Sequence, residues 1–354
     1  MSSKKYNFAS KKANTNKNAN TNRIEKHIYR YFSIATILLI LAVLGSLCLG
    51  AANLSLSQIW DAIVRRNESG IAGNIFWYVR LPRTAACVLS GAGLAVSGAV
   101  IQGVLANKLA SPGIIGVNAG AGMAVTICCA FGAVSGWVFA GAAFAGALFA
   151  VLLVVLVAQK LNASRTTVIL TGVAVNSMLN AVSEAITTLI PEVGVMSSDF
   201  RVGGFASVFS GRLIPAAILI VISLILVFSL HNELDIMNLG EDTAQGLGIS
   251  VKKMRAILLG LAALLAGASV SFAGLLGFVG LIVPHIVRRF VGSESRYLLP
   301  LCAIGGGAFV TICDLVARTL FKPYEIPVGI LMAFIGGPFF IWLLLKKKGG
   351  HSHG

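Results

Sequence analysis

The sequence predicts an all-α integral membrane protein with ten transmembrane helices, and three observations carry that reading. Hydrophobic residues make up 56% of the 354 and charged residues only 12%, where a soluble chain carries about 25% charged residues. Uncharged stretches such as Thr84–Asn107 and Leu109–Gln159 are long enough for one and two passages, at ~20 residues per spanning helix. Glycine, 39 residues in all, recurs inside those stretches, where small side chains let helix backbones approach closely in lipid.

Taken in order, the apolar segments fall at 33–52, 84–105, 113–133, 137–158, 166–188, 212–230, 256–275, 277–291, 298–317 and 326–345. The seventh and eighth are parted only by the glycine-rich Ala273–Gly277. Residues 1–32, rich in Asn and Lys, predict a disordered basic tail. Residues 33–346 form the membrane domain, and 347–354 a short second tail holding His351 and His353. Ten crossings put both ends on one side. That side collects most of the 28 basic residues, among them Lys4, Lys5, Lys108, Arg165, Lys252, Arg288 and Lys346, so the positive-inside rule makes it cytoplasmic. The net charge of +15 is therefore an orientation signal and an affinity for anionic lipid; it predicts no nucleic-acid partner.

Between the first two crossings, Leu54, Leu56, Ile59, Trp60 and Ile63 predict a short helix lying at the membrane surface. Arg80-Leu81-Pro82-Arg83 then opens the second crossing. These arginines are either headgroup anchors or a basic docking spot for an acidic partner outside. Asn107–Gly113 makes a tight cytoplasmic turn. Glu184 is the single carboxylate in the fifth crossing: a proton relay or substrate contact, or a structural group hydrogen-bonded to neighbouring Ser or Thr. Pro191–Arg212 reads as a lid or short re-entrant helix.

The polar island Leu230–Arg255 interrupts the apolar sequence with Glu233, Asp235, Glu241, Asp242, Lys252, Lys253 and Arg255. Ionised groups at that density do not enter hydrocarbon. The island is a structured loop on one face, either solvated or offering small and apolar residues to a partner. Beyond it, Pro284-His285 kinks the eighth crossing. Asp314 and Arg318 stand four apart in the ninth, spaced to pair on one helix face. The six cysteines, Cys48, Cys87, Cys128, Cys129, Cys302 and Cys313, all lie in apolar runs and show no metal spacing; they predict buried free thiols. No phosphate-binding Gly-x-x-x-x-Gly-Lys-Ser/Thr loop and no catalytic set occurs. The sequence therefore predicts no catalytic residues, no cofactor and no metal, and no ATP hydrolysis by this chain.

Eight motifs together resemble the iron-complex and cobalamin importer permeases, the membrane subunits of type II ABC importers. They are RLPRTAA (80–86), SGAGLAVSGAVIQ (90–102), LASPGIIGVNAGAG (109–122), LGEDTAQGLGI (239–249), GFVGLIVPHIVRRFVG (277–292), DLVAR (314–318), EIPVGI (325–330) and GGPFFIWLLL (336–345). The resemblance implies a ten-helix permease domain over 33–346, working with a second permease copy or a paralogue. It implies ATP-binding subunits on the cytoplasmic side and a substrate-binding protein outside. Residues 231–255 become the coupling loop, with Leu239, Gly240, Glu241, Asp242, Ala244, Leu247 and Gly248 meeting the ATPase. Arg80, Arg83 and Arg318 become docking residues for the binding protein. The implied cargo is an iron-siderophore-type complex; haem, cobalamin or an oxyanion is the alternative. From a different class, a proton-coupled secondary transporter built on Glu184, His285 and Asp314 also fits the residues. One departure stands out: family members usually read Asn-Pro-Leu-Ala where this chain has Asn107-Lys108-Leu109-Ala110, which removes a stiffening proline from that turn.

Overall fold

The computed structural model describes residues 28–50, 56–64, 70–133, 135–161 and 164–348. The predicted tails fall largely outside them, with His351, His353 and Leu54. All regular structure among the described residues is helical. The chain opens with α1 (Ile28–Cys48) and the surface helix α2 (Leu56–Val64). The long α3 runs from Ile71 to Val104 over 34 residues. Then come α4 (Val117–Ala130), α5 (Gly136–Lys160), α6 (Arg165–Leu189) and α7 (Pro191–Val202). The second half holds α8 (Ser210–Ser229), α9 (His231–Asn238), α10 (Glu241–Gly246), α11 (Val251–Ala273), α12 (Val279–Val291), α13 (Ser295–Thr319) and α14 (Val328–Lys348).

A helix lies at each of the ten expected places, but the helices are unequal. Six are long and apolar enough to cross a membrane alone: α1, α3, α5, α6, α11 and α13. The pair α8–α9, bent by 57°, makes a seventh if taken as one span. α4 has 14 residues and α12 has 13; a helix of that length rises roughly 20 Å, short of the ~30 Å of hydrocarbon. By length these two therefore do not add to the helices that cross alone. α4 is entered through the turns of 105–116, and α12 through the non-helical 274–278.

α3 is the axis of the fold, flanked by α13, α11 and α12. Lipid supplies no hydrophobic drive between helices, so close backbone packing must hold them. Gly98 lies directly against the Gly280 backbone of α12, and Gly91 against Gly306 of α13, with no room for a Cβ at either contact. The start of α3 is wound as a π-helix over Ile75–Arg80, where Leu81 N–H bonds to Phe76 O five residues back. Pro82 follows in the first turn after it and has no N–H to continue the ordinary ladder.

Turns inside the bundle have their main-chain groups paired, as a low-dielectric setting requires. At the turn lacking the proline, Asn107 Oδ1 accepts from Leu109 N–H at 3.0 Å, and Gln102 Nε2 donates to Ala110 O at 3.1 Å. Asn176 of α6 donates to Gly113 O at 2.8 Å. Polar side chains do there what proline stiffness does elsewhere. At the α11–α12 break, Leu275 N–H bonds to Phe200 O (2.9 Å), Gly204 N–H to Ala273 O (2.8 Å) and Gly329 N–H to Gly203 O (3.2 Å). Those bonds clasp α7, the break and the start of α14 together.

Candidate functional site

Charged and polar residues gather at the two ends of the bundle. Arg80 and Gln102 are 22 positions apart on α3, so the two groups lie roughly 30 Å from each other.

At the island end the polar segment folds into α9 and α10, joined through Gly240 at φ +117. A second left-handed glycine, Gly248 at φ +85, turns the chain into α11. Ala244 is fully buried against Met237 and Val251. The expectation that Ala244 offers itself to a partner is corrected by this geometry: at that register its methyl group faces the bundle and seats α10. Leu239 and Leu247 are instead 65% and 59% exposed, and Asp242 and Gly248 are exposed beside them. Glu241 points back, accepting from Arg255 Nη2 at 2.5 Å, with Arg165 Nε at 4.0 Å. Arg165 also donates to Met237 O at 2.7 Å. Asp235 accepts from the Ser295 N–H at 3.0 Å and the Ser295 hydroxyl at 2.6 Å, placing a carboxylate at the N-terminus of α13, where the helix dipole favours it. Arg288 donates to Gln102. The island is thus a folded platform tied to α6, α11 and α13, presenting two leucines to whatever lies beyond.

At the opposite end Arg83 holds Asp314 through Nε (3.1 Å) and Nη2 (2.9 Å), and Glu325 through Nη1 (2.7 Å). Asp314 also meets Arg318 Nε at 3.3 Å, the pair the helical spacing predicts. Arg318 Nη2 donates to the Ser46 carbonyl at 2.7 Å, and Arg80 Nη1 to the Leu47 and Cys48 carbonyls at 2.8 and 2.7 Å. Those carbonyls are the last of α1, left without intrahelical partners, so the two arginines cap its negative end. Arg80, Arg83 and Arg318 are only 3%, 8% and 3% exposed. The sequence reading gave all three to a partner outside; in the structure they turn inward, onto Asp314, Glu325 and the α1 carbonyls. Sequence spacing showed the Asp314–Arg318 pair and missed Arg83, which lies 231 positions from Asp314. Beside this cluster a cavity of about 440 Å³ opens between α7, α11 and the start of α14, with Arg83, Asp199, Phe200, Phe272, Glu325 and Pro327 in its wall.

The remaining candidates stand apart from both ends' networks. His285 packs edge-on against Phe339 with ring centroids 5.9 Å apart. Glu184 is exposed on α6. All six cysteines are free, four of them buried. Among the described residues no group of His, Cys, Asp and Glu is placed to hold a metal.

Comparison with known proteins adds to this geometry. The model of the FecCD transport family matches residues 38–346. The chain is 32% identical over 318 residues to the hemin transport system permease protein HmuU of Yersinia pestis, covering 88% of this chain and 94% of that protein. It is 35% identical over 320 residues to the iron(3+)-hydroxamate import system permease protein FhuB of Bacillus subtilis, covering 88% and 82%. Against the vitamin B12 import system permease protein BtuC of Yersinia pseudotuberculosis it is 34% identical over 325 residues, covering 91% and 94%. A solved inward-facing structure, described as of a metal-chelate type ABC transporter, superposes with a TM-score of 0.80 at 30% identity, over 90% of this chain and 99% of that one.

Proposed function

The chain belongs to the FecCD transport family, and from that premise we propose that it is the membrane subunit of a type II ABC importer. In this reading it forms the translocation pathway in a multi-pass arrangement of ten crossings, with both termini cytoplasmic. ATP-binding subunits seat on the island end, a binding protein delivers cargo at the arginine end, and a second permease chain, copy or paralogue, completes the path. The chain itself performs no covalent chemistry. Its contribution is packed helices with two discrete arrangements, biased by nucleotide binding in the partner. The relatives' named cargos are hemin, iron(3+)-hydroxamate and vitamin B12; an iron-siderophore-type complex is the cargo proposed here. For the binding protein, the reading places its acidic contacts over the cavity beside Glu325, with Arg83 as the basic wall and Arg80 and Arg318 behind it.

The observation that carries the reading is the island platform: a polar fold at one end of an apolar bundle that leaves Leu239 and Leu247 uncovered. A solvated connector has no reason to present two leucines, whereas a groove in a partner does. The test is Leu247→Glu. ATP-driven uptake of a ferric trihydroxamate should fall at least tenfold while the permease still extracts folded in detergent, and the ATPase should no longer copurify with it. Wild-type uptake and copurification in that variant would sink the coupling assignment. The secondary-transporter reading loses two of its three residues to other roles, since Asp314 is held by two arginines and His285 packs on a phenylalanine.

A further inference from the structure

The helices that cross alone differ in what they show on their open faces. α1 presents Ile37, Leu38, Ile40, Leu41 and Leu44; α5 presents Phe149, Leu152 and Leu156. The bent span shows Ile214, Ile218, Ile222 and Ile225 on α8. These are faces suited to lipid tails. α6 is different. Its Val168, Val175 and Leu179 are buried, and on the opposite side Thr166, Ser177, Asn180, Glu184 and Thr188 are all exposed. The steps from Ser177 to Asn180, Glu184 and Thr188 are three, four and four residues, which is one continuous helix face. The same face carries exposed Leu170 and Val173 between Thr166 and Ser177, and the flank with Met178, Val182 and Leu189 is apolar, so the polar run proper is Ser177 to Thr188.

An exposed amide and carboxylate on a spanning helix do not face hydrocarbon; such groups turn to water or to a polar partner. Neither does this stripe belong to the networks at the ends of the bundle: the Glu184 carboxylate has no hydrogen-bond or ion-pair partner among the described residues. We propose that this stripe lines the water-filled cargo path, and that Glu184 makes the path selective for neutral or cationic metal chelates over anionic ones. The inference rests on the importer reading and deepens it, adding a specificity-determining residue. An unpaired carboxylate beside a narrow aqueous path with low-dielectric walls attracts cations and repels anions. The chemistry of ferric chelates then separates. Three singly charged hydroxamates neutralise ferric iron, whereas three doubly charged catecholates leave a trianion. The geometry therefore favours the hydroxamate type.

The test reads the stripe without needing the cargo. Single cysteines are placed by Ser177→Cys, Asn180→Cys and Thr188→Cys in a chain with Cys48 and Cys128 changed to serine, in permease assembled with its ATPase in membrane vesicles. Small cationic and anionic methanethiosulfonates are then compared. All three sites should react, Asn180→Cys faster with the cation by roughly tenfold. Glu184→Gln should remove most of that ratio and Glu184→Asp should keep it. Cysteines that refuse both reagents, or whose ratio ignores Glu184→Gln, would overturn the proposal. In a second arm, ATP-driven uptake of a ferric trihydroxamate should exceed that of a ferric tris-catecholate, and Glu184→Lys should narrow or reverse the preference. Equal uptake of the two by the unaltered chain would overturn the selectivity. Reactive, charge-selective cysteines with no ATP-driven uptake of either chelate would uphold the lined path and sink the importer reading instead.

Discussion

Asp314 accepts from Arg83 and is ion-paired with Arg318, and it is 1% exposed. Removing its charge leaves two buried guanidinium groups facing each other. Breaking one side of a buried pair costs about 3–5 kcal/mol, so Asp314→Asn should lower the thermal stability of the detergent-solubilised chain by an amount in that range. Glu325 differs, its side chain being 31% exposed at the cavity. A solvent-screened pair contributes about 0–1 kcal/mol, and Glu325→Gln should barely move the melting temperature. Equal losses in the two variants would mean that the cluster acts as one unit without a buried centre. The i, i+4 pair in this cluster was legible because helical spacing places Arg318 over Asp314. Arg83 was not, since its approach depends on the α3–α13 packing, which depends in turn on Gly91 meeting Gly306. No local pattern records a contact made by two backbones. The same gap hid the inward turn of Arg80: its partners are main-chain carbonyls of α1, which every sequence possesses.

Elements explain the island. The run Leu239–Gly248 reads in sequence as alternating small and apolar residues, and nothing in that pattern tells which of them faces the bundle. Gly240 and Gly248, both left-handed, set the register, putting Ala244 inside and Leu247 outside. Ala244→Glu should therefore behave unlike Leu247→Glu. It buries a charge against Met237 and Val251, and the outcome should be a loosened island, seen as protease cleavage between α9 and α11 in the free permease. Cleavage kinetics like those of the unaltered chain would show that Ala244 is not a seat. Packing elsewhere is as exacting. Gly98→Leu asks for a branched side chain where the Gly280 backbone already lies, and the variant should fail to accumulate as folded protein. Normal yield and monodispersity would contradict so close an approach. The helix positions themselves were read well from apolar runs. The turn at Asn107–Gly113 was legible from its polar residues, whereas the break at 274–278 is as apolar as the helices it joins, and its length was not legible.

At the scale of the whole molecule, the sidedness proposed for the chain rests on basic residues gathering at the island end and with the termini. Reporter fusions check it directly. A fluorescent protein after Lys348 or within the α5–α6 turn should light up in the cytoplasm, and a phosphatase fused after Val202 or Leu320 should be active outside. A phosphatase active after Lys160 would remove either the orientation or the ten crossings. One feature of the fold bears on how freely such a chain drifts. The clasp joining α7, the α11–α12 break and α14 is made from peptide N–H and C=O groups, with Gly203 and Gly274 in left-handed conformations and Gly329 pressed on Val202 O. A joint of that kind is blind to side-chain chemistry but intolerant of side chains at its three glycines. Saturation mutagenesis should find Val202, Leu275 and Ile330 permissive to other apolar residues, while Gly203, Gly274 and Gly329 admit almost nothing. The side chains around the clasp can thus drift over evolutionary time while the backbone joint itself stays the same.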